Sequence, residues 1–383
     1  MYKLNPEQQT FIDKARDIAD RVIGPNAAAV DREGRFPSES IAALGEAGLL
    51  GLTIPGEYGG SGQSPRVAAA VLDEIGQRCA STGMVYLMHL CGVACYIARP
   101  EHAGDQLRAA AQGQHLSTLA WSEKGSRSHF WAPVSQALRL ESGVALSAEK
   151  SFVTSAGKAD GYVVSVGAVD RESPLQSTLY LVLKGDEGMN VSGGWDSLGM
   201  RGNASAPMSL FAVKVDDSRL MSDEGKGFDA MLGVVLPMFQ LGNAAISVGI
   251  CEAACQSTVQ HLTSGKLEHL GSSLADLPNL RARLARMRIE TDKARAHLAA
   301  SLDAIENPGP TTMLMVLESK TAASETALEV TDIGMRACGG AAFGKHLSIE
   351  RNFRDARAAS VMAPTTDVLH DFIGKALCGM ELF

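Results

Sequence analysis

A short loop, Lys124-Gly-Ser-Arg-Ser-His129, carries the side chains whose types point most directly to chemistry. The guanidinium of Arg127 suits two-pronged recognition of a carboxylate or another oxyanion. The imidazole of His129 could carry a proton, because an unperturbed histidine has a pKa of about 6.5. A solvated loop arginine and an ordinary surface histidine are the alternatives that these residues leave open.

A second feature is the glycine pair Gly339-Gly340, which ends a long segment of helical spacing. Because glycine has no Cβ atom, a ligand or another chain can approach this backbone closely. Glycine is also the residue that most often follows the last turn of a helix. The pair therefore marks either a site of close contact or a simple helix end.

The cysteines do not form a pattern that indicates disulfides or a metal site. An odd count without paired close spacing argues against a disulfide framework and predicts a reducing, cytoplasmic environment. No histidine or cysteine falls at zinc-type spacing, so we predict no metal and interpret the thiols as small buried hydrophobes. The seven residues are Cys79, Cys91, Cys95, Cys251, Cys255, Cys338 and Cys378.

Composition narrows the classes of protein to consider. With 383 residues, 45% hydrophobic and 20% charged, the chain can bury several cores and is not of a disordered type. The net charge of −8 and the absence of a basic stripe argue against nucleic acid as a partner. The N-terminus lacks an apolar signal segment. The uncharged stretch 230–250 contains Pro237, Gln240 and Asn243, so we predict a buried helix there and no membrane span.

The elements that must position these side chains fall into three stretches, which predict an α+β fold. Residues 1–115 form an N-terminal helical domain, residues 116–223 a small central β domain and residues 224–383 a C-terminal helical bundle. We expect Pro25 to break the first helix and Ser38 to cap the second. Predicted helices cover about 5–30, 38–47, 66–78, 81–98, 103–112, 278–304, 311–337 and 365 to the C-terminus, and predicted strands 116–121, 136–140, 144–148, 161–167, 178–183 and 209–215.

Five local patterns, taken in order, resemble the acyl-CoA dehydrogenase family over about residues 5–380. Each is weak alone, but together and in register they are specific. They are the glycine-rich segment 48–62, Trp121-Ser-Glu123, Ala148-Glu-Lys-Ser-Phe-Val-Thr154, Leu198-Gly-Met-Arg-Gly202 with Gly225-Lys-Gly-Phe228, and Cys338-Gly-Gly340 followed by Glu350-Arg-Asn-Phe-Arg-Asp-Ala-Arg357.

The resemblance implies a helical N-terminal domain, a central β domain and a C-terminal four-helix bundle. It also implies an FAD-dependent oxidoreductase that acts on a CH–CH group of an acyl-CoA or acyl-carrier thioester. Family members usually assemble as dimers of dimers, so we expect a homodimer or homotetramer. The electron-transfer partner is not implied.

Site residues carry over by motif. Trp121 and Ser122 match positions at the edge of the flavin ring. Phe152 and Thr154 match the aromatic residue that stacks on the flavin and the threonine that bonds near its reactive nitrogen. Read without the motif, Phe152 could equally pack in a core. Ser128 matches a serine at the mouth of the substrate site.

The other end of FAD is matched by residues of the bundle. Gly339 and Gly340 match glycines that let backbone approach the adenosine half of FAD from a neighbouring subunit. Thr365 and Asp367 match positions near the FAD phosphates and ribose. Asp367 is also a weak candidate for the catalytic base, but an acid in the first turn of the last helix is favoured by the helix dipole alone.

The chain departs from the family at the catalytic base. Family dehydrogenases remove the proton α to the thioester carbonyl with a positioned glutamate, while a hydride leaves the β carbon for the flavin. The usual position of that glutamate is Ala363 here, within Met362-Ala-Pro-Thr-Thr-Asp367. The alternative position, near Met238 and Phe239, is apolar too. The identity of the base is therefore open.

Further departures concern the substrate and FAD. Arg127 replaces a glycine of the family's Pro-Gly-Ala-Gly-Ser-Asp run and His129 replaces its acid, so Arg127 could bind an anionic substrate tail. The family's Arg-x-x-Phe-Gly run, whose arginine meets FAD across a subunit boundary, is replaced by Lys266-Leu-Glu-His-Leu-Gly271. An arginine of the preceding helix that the family uses near the thioester is also missing.

Three functions fit these residues. The first is an acyl-CoA dehydrogenase-like flavoenzyme with an atypical base or an altered reaction, such as desulfinase-like elimination of an anionic group from the β carbon. The second is an ordinary dehydrogenase with an unidentified base. The third is a non-catalytic subunit that pairs with an active paralogue.

Overall fold

The computed structural model describes residues 2–382, and helices form the first part of the chain. Asn5 starts the first helix as a capping box, in which its side chain accepts from the backbone of Gln8 while the Gln8 side chain accepts from the backbone of Asn5. The N-terminal helices are α1 Pro6–Ile18, α2 Gly24–Glu33, α3 Ser38–Glu46, α4 Pro65–Gly76, α5 Ala80–Ala98 and α6 Pro100–Ala111.

Two predictions about these helices are wrong. Pro25 does not break the first helical run, because a π turn over Ala19–Ile23 precedes it and Pro25 falls in the first turn of α2, where no backbone donor is needed. Ser38 does not cap α3: Pro37 occupies the N-cap position, and no side chain caps this helix.

A seven-stranded sheet forms the middle of the chain, in the order β1-β4-β2-β3-β7-β6 with β5 paired to β4. β4 and β5 are apolar runs buried almost throughout, as β-branched and aromatic residues favour. The strands are β1 Ser117–Ala120, β2 Gln136–Arg139, β3 Val144–Val153, β4 Gly161–Gly167, β5 Ser177–Leu183, β6 Met189–Val191 and β7 Ala206–Val215.

The predicted strands are found, with three differences. β7 begins at Ala206, three residues before the predicted start. β3 is longer than predicted and extends to Val153, because its bulged pairing with β7 continues past Ala148. β6 was missed, since three residues with a mostly exposed pattern give no periodic signal.

A helical bundle closes the chain, in which α10 contacts α8, α9, α12 and α13. The last helix ends at Leu377 rather than at the C-terminus, and Gly379 follows in a left-handed conformation. The elements are α7 Gly227–Ala230, α8 Leu236–Ser264, a hairpin of β8 Lys266–Leu267 and β9 Ser272–Ser273, α9 Pro278–Glu306, α10 Thr312–Cys338, α11 Gly340–Phe343, α12 Ile349–Val361 and α13 Thr366–Leu377.

The uncharged stretch 230–250 is a buried helix, as predicted. By length and composition, two helical runs of the described residues could cross a membrane, namely Ala80–Ala98 and Gly227–Ser264. Within their most apolar windows, 89% and 78% of the residues are buried inside the fold. Their apolar surface is therefore covered by α4, α8, α10 and the sheet.

Helix α12 joins the three parts of the chain. The Arg354 guanidinium pairs with Asp31 on α2 at 2.6 Å and with Glu350 at 2.8 Å. The buried carboxylate of Asp355 accepts from the backbone N–H of Met200 at 2.6 Å, beyond the last β6 residue. The predicted α+β architecture is thus confirmed, and the predicted boundaries near 115 and 223 lie in connections between elements.

We expect Asp355 to make stability depend on pH. Burial raises the pKa of this carboxyl from its ordinary 3.8 to about 6. The folded chain therefore binds this proton more tightly than the unfolded chain, so the carboxyl favours folding below about pH 4, and this contribution is lost as pH rises through about 6. Relative to Asp355→Asn, the wild type should lose about 3 kcal/mol of unfolding free energy between pH 4 and pH 7.

Urea unfolding of both proteins across this pH range measures the difference. Asp170→Asn, at an exposed acid, is the control and should shift with pH by less than about 0.5 kcal/mol relative to the wild type. A pH-independent difference between the wild type and Asp355→Asn would contradict the assigned role.

Candidate active site

A cavity of about 790 Å³ lies where α5, the sheet and the bundle meet. Met84 and Met88 of α5 and Leu119 of β1 contribute apolar side chains to its wall. The cavity brings together most of the site residues predicted from sequence. Those that line it are Trp121, Ser122, Arg127, Ser128, Phe152, Thr154, Ala363 and Thr365.

The β-domain wall presents an aromatic ring and hydroxyl groups. Phe152 has a left-handed backbone (φ 56°), and its side chain is 70% exposed, edge-on to Trp195 at 6.3 Å. Thr154 lies two residues on, with its hydroxyl 2.9 Å from that of Ser205. The indole Nε1 of Trp121 is buried and has no hydrogen-bond partner among residues 2–382. An uncovered ring beside unsatisfied polar groups suits a flat heteroaromatic ligand.

A buried ion pair supports this wall from behind. The Nζ of Lys150 on β3 lies 2.7 Å from Glu123, and both side chains are at most 2% exposed. Glu123 also accepts from the backbone of Val134 at 2.8 Å and from the backbone and hydroxyl of Ser135. Lys150 also donates to the carbonyl of Trp121. The pair thus fixes both ends of the loop that carries Arg127.

The two pKa values of the pair follow from burial and mutual attraction. Burial opposes ionisation of Glu123, but the ammonium of Lys150 and the hydrogen bonds from Ser135 outweigh it and lower the carboxyl pKa. Burial also lowers the pKa of Lys150, and Glu123 only partly offsets this effect. The pair is therefore a structural support whose members depend on each other for their charge.

The bundle wall is apolar where a base would be expected. Leu236 and Phe239 of α8 and Met362 face the cavity beside the methyl group of Ala363. Thr365 is the N-cap of α13, and its hydroxyl accepts from the backbone of Val368 at 3.4 Å. Among the described residues, the lining contains no aspartate, glutamate, histidine, lysine, tyrosine or cysteine. Its ionisable residues are all arginines.

The three arginines of the lining differ in their partners. Arg354 is already neutralised by Asp31 and Glu350. Arg127 is exposed, and its guanidinium has no ion-pair or hydrogen-bond partner in the part of the chain that the structure describes. Arg357 stacks on Phe353 at 3.4 Å and donates to Thr331 at 3.0 Å. Burial lowers the pKa of Arg357, Asp332 only partly offsets this effect, and no carboxylate within residues 2–382 lies at ion-pair distance from it. The cavity therefore carries uncompensated positive charge.

The remaining candidates lie outside this cavity. Gly339 ends α10 with φ 57° and Gly340 follows it, and a Cβ atom added at either would meet nothing within 4 Å. Asp367 is exposed in the first turn of α13. The His129 ring stacks on Trp131 with a centroid distance of 5.1 Å.

Comparison with family models shows which protein family the chain belongs to. Residues 5–106 match the model "Acyl-CoA dehydrogenase, N-terminal domain", and residues 225–378 match "Acyl-CoA dehydrogenase, C-terminal domain". The chain belongs to the acyl-CoA dehydrogenase family. Cyclohex-1-ene-1-carbonyl-CoA dehydrogenase of Syntrophus aciditrophicus is 27% identical over 98% of this chain and 91% of the relative.

Two solved structures show that the fold extends over the whole chain. Butyryl-CoA dehydrogenase from Megasphaera elsdenii superposes with a TM-score of 0.92 at 23% sequence identity. The alignment covers 98% of this chain and 99% of that protein. An FAD complex of PigA has a TM-score of 0.90 at 18% identity, with 98% of each chain covered. At these identities, the likeness concerns the acyl-CoA dehydrogenase fold alone.

Several residues around the site were not predicted from the sequence to have a role there. Glu123 and Lys150 stand inside the quoted family motifs, but nothing in the sequence shows that they pair. Arg357 ends another motif and was not singled out as a cavity residue. Lys320 of α10 carried no signal at all, because a single lysine in a long helix predicts a solvated position.

We expect Lys150→Met to destabilise the protein by about 3–5 kcal/mol, because Glu123 is then left buried without a cation. Adding Glu123→Gln should recover part of this loss. Arg139→Met, at a residue of β2 in the same sheet, removes an exposed ion pair with Glu224 and should cost less than about 1 kcal/mol. Urea unfolding compares the three variants, and equal losses for Lys150→Met and Arg139→Met would contradict the support role.

Proposed function

We propose that this protein is an FAD-dependent oxidoreductase-type enzyme that acts on an acyl thioester without a carboxylate base at position 363. The observation that carries the proposal is the composition of one cavity. Phe152, Thr154, Trp121 and Ser122 line it beside Ala363, while carboxylates are missing from its described lining. The residues for holding a flavin are kept, whereas the family's proton acceptor is replaced by a methyl group.

The residues present fit FAD. Phe152 offers an exposed ring for stacking, and the hydroxyls of Thr154 and Ser122 are available at the same wall. Gly339 and Gly340 leave open space for the adenosine half of FAD bound to a neighbouring copy, which requires a homodimer or homotetramer. When bound, FAD supplies a two-electron acceptor for a hydride from the β carbon of the thioester.

The residues of this chain would bind and orient the acyl group rather than remove its proton through residue 363. Met84, Met88, Leu236 and Phe239 make a water-excluding surface for an acyl chain. Asp367, the weak alternative base, is exposed on α13 and outside the cavity lining, so the proposal does not use it. In this proposal, proton removal falls to a group of the substrate or to a bound water, because the cavity lining offers no carboxylate.

Restoring the carboxylate tests whether the base is the missing part. We expect Ala363→Glu to raise the rate of flavin reduction by butyryl-CoA by about 100-fold or more, because a positioned general base contributes 10²–10⁴-fold. Stopped-flow absorbance of the flavin band gives the rate. Ala363→Gln, of equal size but without a base, should remain at the wild-type rate.

The colour of the purified protein separates this proposal from that of a non-catalytic subunit. Stoichiometric FAD in the wild type supports the proposal. A colourless protein that binds no added FAD contradicts it and favours a subunit that pairs with an active paralogue. Wild-type flavin reduction as fast as that of Ala363→Glu would point to an ordinary dehydrogenase with another base.

A second candidate function is elimination of an anionic group, such as sulfinate, from the β carbon of an acyl thioester. It is favoured by the two arginines of the cavity that have no acidic partner, Arg127 and Arg357. Guanidinium groups recognise planar or tetrahedral oxyanions through paired hydrogen bonds. In the form that needs no base, the C–S bond breaks with its electron pair left on the β carbon, which takes up a proton, and sulfur departs as sulfur dioxide, which water converts to sulfite. No proton then has to be removed by residue 363.

We expect Arg127→Gln and Arg357→Gln each to weaken the binding of glutaryl-CoA, an anionic probe, by about 10-fold or more. The affinity for butyryl-CoA, which lacks the terminal charge, should change less than about 3-fold. Titrations that follow the flavin spectrum measure both. Lys124→Gln removes a charge from the same loop outside the cavity lining and is the control. Equal effects on the two thioesters would exclude recognition of the acyl anion.

A further inference from the structure

A single lysine is buried in the bundle directly behind the bundle wall of the cavity. Lys320 lies on α10, its residue exposure is 0%, and it is not part of the cavity lining. Its Nζ donates to the backbone carbonyl of Met362 at 2.8 Å and to that of Pro364 at 2.6 Å. These are the two carbonyls on either side of Ala363.

The amine is suited to this position in its neutral form. Burial lowers the pKa of Lys320 to about 7. No carboxylate among residues 2–382 forms an ion pair with it. A neutral amine has two hydrogens, and two carbonyls accept them here, whereas an ammonium would carry a third, unsatisfied donor. With a pKa of about 7, both forms of the amine are populated at neutral pH, and either form supplies the two hydrogens that the carbonyls accept.

The neighbours on α8 do not share this task. Asn243 directs its amide nitrogen to the sulfur of Met362 at 3.8 Å, while its Oδ1 and both polar atoms of Gln240 are buried without partners in the described chain. Phe239, whose ring centroid lies 5.8 Å from Nζ, separates the amine from the cavity. No other side chain among residues 2–382 donates to the two carbonyls.

We propose that Lys320 is a positioning residue of this site, which holds the segment Met362-Ala363-Pro364 against the cavity from the bundle side. Both carbonyls are drawn away from the cavity, so the segment presents its side chains to the acyl thioester. The role deepens the proposed function and rests on it. It also gives position 363 a fixed location independent of which residue stands there.

Hydrogen exchange of the segment tests the tether without any ligand. In Lys320→Met, which keeps length and apolarity but cannot donate, the peptide that covers residues 359–367 should exchange at least about 10-fold faster. Exchange in the rest of α10 should remain within about 2-fold. Ser324→Ala, a buried substitution one turn further on α10 whose hydroxyl bonds only to Thr321, is the control and should leave the segment unchanged.

The binding of butyryl-CoA to the FAD-loaded protein tests the positioning role. We expect Lys320→Met to keep the wild-type ratio of FAD to protein and to bind butyryl-CoA about 10-fold more weakly. In the Ala363→Glu background, it should lower the limiting rate of flavin reduction by a similar factor. A purely structural role would change stability but not these two quantities in a variant that retains its FAD.

The outcomes separate the two proposals. Unchanged exchange of the segment, or unchanged affinity and rate with FAD retained, overturns the role of Lys320 and leaves the proposed function in place. A wild type that takes up neither FAD nor thioester overturns the proposed function and with it the positioning role, even where exchange shows a tether. If Lys320→Met does not fold, Lys320→Gln, which keeps a shorter donor, is judged by the same measurements.

Discussion

The cavity lies where three parts of the chain meet, and helix α12 ties all three together through two adjacent charged residues. Arg354 reaches α2 of the N-terminal domain through Asp31, and the next residue, Asp355, accepts a hydrogen bond from the β domain at Met200. Gly199, packed so closely on the backbone of Arg354 that a Cβ atom would lie 2.4 Å from its carbonyl oxygen, allows this approach. The N-terminal helices and the bundle share one hydrophobic core, and the sheet contributes a second. The cavity is lined by residues of all three parts.

Charge is distributed around the cavity in an unusual way for a site of proton transfer. Buried ionisable groups lie behind its walls. Lys150 and Glu123 form an ion pair, while Lys320 and Asp355 each form hydrogen bonds to the backbone. Inside the lining, the acidic groups are absent from the described residues and the basic ones are arginines. The buried groups behind the walls therefore hold the cavity in shape. The lining itself has groups suited to binding an anion and none suited to accepting a proton.

The sequence predicted most of the fold because the periodic segments are long and strongly amphipathic or wholly apolar. It failed at Pro25 and Ser38, where a π turn and a neighbouring proline alter the helix start, and at β6, which is too short to show a period. It also did not predict α12, whose residues were recognised only as part of a family motif. Most residues singled out by the family motifs line the cavity, since motif spacing fixes positions on shared elements, but Gly339, Gly340 and Asp367 lie outside it. Lys320 and the pairing of Glu123 with Lys150 could not be predicted, because burial of a charged residue depends on tertiary neighbours that no local pattern encodes.

The exposed ring of Phe152, on a left-handed backbone, has a consequence for the chain before any ligand binds. Together with Leu198 and Val361, which are 63% and 72% exposed and line the same cavity, it forms an exposed hydrophobic opening on the folded chain. Exposed apolar openings of this kind attract other unfinished chains. Until a ligand or another surface covers this opening, we expect newly folded chains to associate with one another through it.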